Sequence, residues 1–339
     1  MKKVAVVGFG FMGITHALNI LKSGRLDLKA IVEKNPSMVA RNLESGLGNI
    51  ATGGIPADAV RNLPVYTSID DCLDREDLDA LHICVHTRLH YSMARKALER
   101  GKHVLLEKPL ALDIKEGREL IALARNNGLV FMVAHVVRFM PAYALLKEWI
   151  DAGTYGPLEF LSLSRLTGIP AWGEWKSNPQ VRASSGGALF DLVIHDIDYM
   201  QFAMGQPETI DGRVLPGCLS EHDYLSARWE FKNPGRTGII EGGYIFHRRF
   251  PFDSRFIAKF SEASVFYGTH EPRTIRVAGD DRLDQVELGD PADGYMGEIL
   301  YFADCLEKGR WPERCSPESS LRAIELCYAH IRKTKGEIS

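Results

Sequence analysis

Lys3–Glu33 reads KVAVVGFGFMGITHALNILKSGRLDLKAIVE, and this stretch decides the fold of the N-terminal half. Val4–Val7 is an unbroken apolar run with three β-branched residues, the pattern of a strand buried on both faces. It leads into Gly8-Phe9-Gly10-Phe11-Met12-Gly13, which fits G-x-G-x-x-G. His16, Ala17, Leu18, Ile20 and Leu21 follow at helical spacing, and Leu28–Val32 reads as a second buried strand ending in Glu33. Gly8 allows a tight turn, Gly10 lets backbone approach a pyrophosphate, and Gly13 lets helix and strand pack closely. Phe11 and Met12 lie at the helix N-terminus, whose unpaired N–H groups attract an anion. Glu33, twenty positions after Gly13, is placed to accept hydrogen bonds from ribose hydroxyls. Strand, loop, helix, strand and acid together predict a dinucleotide site. A carboxylate where a 2′-phosphate would sit favours NAD over NADP, although Lys34 and Arg41 offer opposing charge nearby.

Outward from this unit, short buried strands are predicted at Leu63–Thr67, Leu78–Val85, Val104–Leu106 and Leu129–Ala134, with helices between them. Repeated strand–helix alternation predicts a doubly wound parallel sheet of the Rossmann type. From about residue 155 the pattern changes. Strands follow one another at Leu158–Ser164, Thr209–Leu215, Tyr224–Phe231, Gly238–Phe246, Ser254–Ser261, Ala263–Tyr267, Thr274–Val277 and Gln285–Leu288. Helices are predicted at Gly187–Met204, Tyr295–Glu307 and Ser319–Lys335. The fold class is therefore α/β: a nucleotide-binding domain over 1–125, then an α+β domain over 126–339 with a large open, mainly antiparallel sheet. Residues 44–60, rich in Gly and Ala, read as a loop with a short helix.

The chain has 339 residues, 45% hydrophobic and 25% charged, with a formal net charge of −3. No basic run suggests nucleic acid, and no apolar stretch is long enough for a membrane span. Six cysteines without a C-x-x-C pair read as reduced thiols of a cytoplasmic protein, and the start of the chain reads as lacking a cleaved signal. His82, His86 and His90 are spaced by four, but they fall on a strand, a break and a helix, so no metal site is assigned. His90, just beyond a strand's carboxyl end, is placed near the dinucleotide.

With these elements in place, the chain resembles the Gfo/Idh/MocA family of dinucleotide-dependent sugar and polyol dehydrogenases. The resemblance rests on GFGFMGITH (8–16), GKHVLLEKPLA (101–111), MVAHVVRFMPAY (132–143), GGALFDLVIHDIDYM (186–200) and the closing helices. It implies catalytic roles for Lys108, Asp191 and His195. Asp191 and His195 stand one helical turn apart, and spacing alone puts them on one helix face. It also implies cofactor contacts at Thr87, His90, Glu107, Lys108 and Pro109. Val85-His86-Thr87 replaces the Thr-Pro-Asn common in relatives. Trp172, Trp175 and Arg165 are substrate candidates, because aromatic faces with polar neighbours suit a carbohydrate ring, and the arginine suits a carboxylate or phosphate as well. His135 joins them.

The implied reaction is hydride transfer between a secondary alcohol of a sugar or cyclitol and the nicotinamide, in a site between the domains. His195 acts as base, Lys108 stabilises the alkoxide and Asp191 orients. Two alternatives are a glycosidase that oxidises transiently with bound NAD and a non-enzymatic nucleotide-binding regulator. Tyr244, Phe246, Phe256, Phe260 and Phe266 predict a homodimer or homotetramer through the C-terminal sheet.

Overall fold

The computed structural model describes residues 1–44, 57–170, 185–232 and 235–337. They divide into two compact units, Met1–Val136 with Gly294–Leu321, and Val137–Asp293 with Arg322–Ser339.

The first unit is built on six parallel strands: β1 (Lys2–Val7), β2 (Leu26–Val32), β3 (Val65–Tyr66), β4 (Ala80–Ile83), β5 (His103–Glu107) and β6 (Phe131–Ala134), in the order β3-β2-β1-β4-β5-β6. Val4 to Val7 are buried and Ala80 to Ile83 wholly so, as strands covered on both faces require. Helix α1 (Phe11–Ser23) follows β1, α2 (Ser37–Glu44) and α3 (Ala57–Arg61) follow β2, α4 (Ile69–Arg75) follows β3, α5 (His90–Glu99) follows β4 and α6 (Ile114–Asn126) follows β5. The strand order reverses between β1 and β4, and the crevice beyond their carboxyl ends is where such sheets bind ligands. The expected boundary at residue 125 lies too early, because β6 pairs with β5 through Val104–Phe131 to Glu107–Ala134. This unit also takes up most of a later helix (Asp293–Lys308) from near the end of the chain.

The second unit holds eight strands: β7 (Leu158–Gly168), β8 (Thr209–Leu215), β9 (Tyr224–Glu230), β10 (Thr237–Phe246), β11 (Asp253–Phe260), β12 (Ser264–Gly268), β13 (Thr274–Ala278) and β14 (Leu283–Glu287). Their order is β14-β13-β12-β11-β7-β10-β9-β8, antiparallel at every pairing except β7 with β10. Burial alternates along β11, with Phe256, Ala258 and Phe260 inward and Arg255, Ile257 and Lys259 outward. Helix α7 (Pro141–Ala152), helix 194–204 and the end of helix 317–334 belong to the same unit. Tyr199 donates to the Tyr143 carbonyl at 2.6 Å, and Trp229 Nε1 donates to His330 Nε2 at 2.9 Å.

Two features correct the aromatic argument for assembly. Tyr244, Phe256 and Phe260 are buried, so they fill the covered face, whereas Phe266 is 40% exposed and its register partner Ile257 is 50% exposed. Buried ion pairs also occur in this unit. Arg138 donates to both Asp198 oxygens at 2.7 and 2.6 Å, and Arg165 to both Asp196 oxygens at 2.8 and 3.0 Å. Among the described residues no helix is long and apolar enough to cross a membrane.

Candidate active site

The glycine loop has the geometry its sequence demands. Gly8 has φ +85°, and a Cβ there would meet the Cys84 carbonyl oxygen at 2.6 Å, so only glycine fits. A Cβ on Gly13 would lie 2.0 Å from the Gly8 carbonyl oxygen, which is the close helix–strand approach itself. Among the described residues nothing lies within 4 Å of such a Cβ on Gly10, so exposed backbone at the start of α1 stands open to an anion. Phe11 and Met12, at the first turn of α1, are half-buried. Glu33 braces the loop: its Oε2 accepts the Phe9 N–H at 3.0 Å and its Oε1 accepts the Asn35 N–H at 3.1 Å. Each oxygen keeps a lone pair for a ribose hydroxyl. Asn42 adds a bond to the Phe9 carbonyl at 2.8 Å. The residues present therefore fit a dinucleotide with a free ribose edge.

Beyond β5, Lys108 is half-buried between buried Glu107 and Pro109, and the Lys108–Pro109 bond is cis. His82, His86 and His90 fall on three elements: β4, the turn after it and the start of α5. Thr87 opens that turn, half-buried. His90 does not face outward. It is 1% exposed, with Nδ1 2.7 Å from the Pro109 carbonyl oxygen and Nε2 3.0 Å from that of Val85. Its ring pins the 85–87 turn to the Lys108–Pro109 turn, and burial lowers its pKa against the pull of those carbonyls. Glu107 also turns inward: His16 Nε2 lies 3.1 Å from its Oε1, and the Lys108 N–H donates to its Oε2 at 3.2 Å.

In the second unit, Gly186 and Gly187 have φ +83° and +78°, and a Cβ on Gly187 would meet Ser220 Oγ at 2.0 Å. The chain then enters a π-helical turn, Leu189–Val193, before the regular helix α8 (Ile194–Met204). Such single turns inside helices are frequent at functional sites. Every residue from Gly187 to Gln201 is buried except Asp191 and His195, so this apolar segment presents two ionisable side chains on its one accessible face. Tyr244 of β10 donates its hydroxyl to Asp191 Oδ2 at 2.5 Å. Burial first, and then Asp191, pushes the Tyr244 phenol well above its ordinary value, so it stays a donor throughout the neutral range.

Of the substrate candidates, Arg165 is 3% exposed and committed to Asp196, so it holds the fold. His135 is fully buried, with Nε2 2.8 Å from Ser320 Oγ. Trp172 and Trp175 lie outside the described residues. Two buried side chains beside the expected site residues, Tyr244 and Glu298, escaped the sequence reading. Nothing local links Tyr244 to Asp191, fifty-three positions away. A signal existed for Glu298, which shares a buried helix face with Tyr295, Ile299 and Phe302 at helical spacing.

Comparison with known proteins agrees with this architecture. Residues 2–135 match the NAD-binding Rossmann domain of the GFO/IDH/MocA oxidoreductase family, and residues 143–279 match that family's C-terminal domain. The scyllo-inositol 2-dehydrogenase (NAD(+)) of Bacillus subtilis is 28% identical over 327 residues, covering 91% of this chain and 87% of the relative. The 2,7-anhydro-N-acetylneuraminate hydratase of Mediterraneibacter gnavus is 31% identical over 54% of this chain and 50% of its own. A levoglucosan dehydrogenase solved with NADH and levoglucosan shares the fold, with a TM-score of 0.79 or above, namely 0.82, at 20% identity over 99% of this chain and 98% of that one.

Proposed function

The chain belongs to the Gfo/Idh/MocA family of NAD-dependent oxidoreductases, and on that premise we propose that it oxidises a secondary hydroxyl of a cyclitol or cyclic sugar with NAD. The observation that carries the reading is the face of the 187–201 segment, where Asp191 and His195 alone are accessible and Tyr244 fixes Asp191. The bound nicotinamide supplies the hydride acceptor. This chain's residues supply the rest. His195 takes the hydroxyl proton, its unperturbed range lying near neutrality. Lys108 hydrogen-bonds the same oxygen and stabilises the alkoxide as it forms. Asp191 orients the imidazole or a neighbouring hydroxyl. Gly8, Gly10, Phe11, Met12 and Gly13 hold the pyrophosphate, Glu33 the ribose, and Thr87 with the Lys108–Pro109 turn the nicotinamide end. His90 and Glu107 act behind that turn.

Glu33 favours NAD over NADP by like-charge repulsion of a 2′-phosphate. The exposed Ile257–Phe266 pair on the outer sheet face supports a homodimer or homotetramer built there. Six free cysteines, four of them buried, suit the cytoplasm. The test is a screen of scyllo-inositol, myo-inositol, levoglucosan and common aldoses for NADH formation. A NAD-binding protein that reduces NAD with none of them overturns the reading. The hydratase among its relatives gives weight to a second reading, transient oxidation with NAD restored. Cleavage of a glycoside or anhydrosugar without net NADH marks it.

A further inference from the structure

Beneath Lys108 the nucleotide unit buries a line of four ionisable side chains, three of which the proposed reaction does not use. His82 on β4 is fully buried and His16 on α1 is 1% exposed, with their Nδ1 atoms 3.2 Å apart. His16 Nε2 lies 3.1 Å from Glu107 Oε1. Glu298, in helix α9 (Asp293–Lys308), is 1% exposed, and among the described residues neither of its carboxylate oxygens has a hydrogen-bond partner. One side-chain nitrogen or oxygen atom each from His16, Glu107 and Glu298 falls within 4.8 Å of the others.

Two ionised carboxylates at this distance and depth cost far more than one carboxylate and one carboxylic acid. Among the described residues no hydrogen-bond partner brings positive charge to Glu298. Burial drives His82 far below its ordinary value, so it is neutral, and the Cys84 thiol nearby is driven far above its own, so it is neutral too. His90 is likewise lowered, and Lys108 stands at the outer end of the line. Burial and then Glu107 push Glu298 well above the usual carboxylate range.

The tautomers follow. Among the described residues His82 Nε2 has no hydrogen-bond partner, and the Phe302 ring packs edge-on with its centroid 5.3 Å from that of the imidazole. An orphaned N–H there is rarer than an orphaned lone pair. His82 thus donates from Nδ1 to His16 Nδ1, and His16 donates from Nε2 to Glu107. The Lys108 N–H reaches the other Glu107 oxygen at 3.2 Å.

We propose that Glu298 is a neutral carboxylic acid directed at Glu107, and that Glu107, the single anion of the line, is the positioning residue for Lys108. The second half rests on the catalytic reading of Lys108; the first does not. The experiment has two arms. Thermal unfolding of the full chain against pH tests the acid. The native Glu298 keeps a proton that the unfolded chain releases above about pH 4.5, so wild-type stability falls as pH rises through that window. Glu298→Gln lacks this loss. Its Tm advantage over wild type should widen by a few degrees between about pH 5 and about pH 8. Glu298→Leu, which keeps the site neutral by a different shape, should show the same trend. Parallel curves for both variants overturn the acid. So does a stoichiometric divalent metal in the wild type that Glu298→Gln lacks, since a cation would then replace the proton. In the second arm, Glu107→Gln should lower kcat at least about tenfold while KM for NAD changes less than about threefold. An unchanged kcat overturns the positioning role. The unfolding arm needs no substrate, so failure of the dehydrogenase reading and failure of this one are told apart.

Discussion

Tyr244→Phe removes one hydroxyl and keeps the ring. Tyr244 is 3% exposed and packs with Ala188 and Leu192, so the aromatic core survives the change. What is lost is the donor to Asp191 Oδ2 at 2.5 Å. A hydrogen bond to a charged group contributes about 1.5–3 kcal/mol. Asp191 is half-buried, so water can replace part of it, and the lower end applies. About 1.5 kcal/mol corresponds to roughly a tenfold fall in kcat if Asp191 must be held for the chemical step. KM for NAD should stay within about twofold, because the glycine loop is untouched. Since the phenol is held well above its ordinary value, the variant-to-wild-type ratio should not vary across the neutral range. Steady-state kinetics with the best polyol of the screen measure all three. A kcat within about twofold of wild type would refute the claim that Tyr244 holds Asp191 for catalysis.

Other outcomes follow from single contacts. Glu33→Ala should raise kcat/KM with NADP relative to NAD by at least about tenfold, and a wild-type preference for NADP would reverse the assignment. Gly13→Ala forces a Cβ to within 2.0 Å of the Gly8 carbonyl, backbone against backbone, and should abolish NAD binding in calorimetry; unchanged affinity contradicts the packing role. Ile257→Asp, on the exposed sheet face, should convert the oligomer to monomers by light scattering, whereas a monomeric wild type removes the assembly proposal.

What the sequence disclosed was what neighbours along the chain decide. The β1–loop–α1–β2 unit is legible because periodicity, turn glycines and the acid all lie within thirty-one residues. The strands of the second unit were placed by alternation, and β8, Thr209–Leu215, falls where it was expected. Pairing is another matter. The parallel β7–β10 contact joins segments some seventy residues apart, and no local pattern encodes it. The same limit hid Tyr244 from Asp191 and Glu298 from Glu107. Arg165 misled for a related reason, since a lone arginine does not show whether its carboxylate is a ligand or Asp196. Aromatic count along β10–β12 likewise could not say which rings face the helices, because one residue of register exchanges the faces.

The central claim, direct hydride removal from a carbinol carbon of the polyol, is tested most directly by isotope transfer. The polyol that reduces NAD fastest, deuterated at its carbinol carbons, is turned over and the NADH is weighed by mass spectrometry. The account predicts one deuterium per NADH and a rate slowed by the heavier isotope, with His195→Ala forming little labelled NADH at neutral pH. Product formed with no deuterium in the cofactor, or no NADH from any polyol that binds, would contradict it.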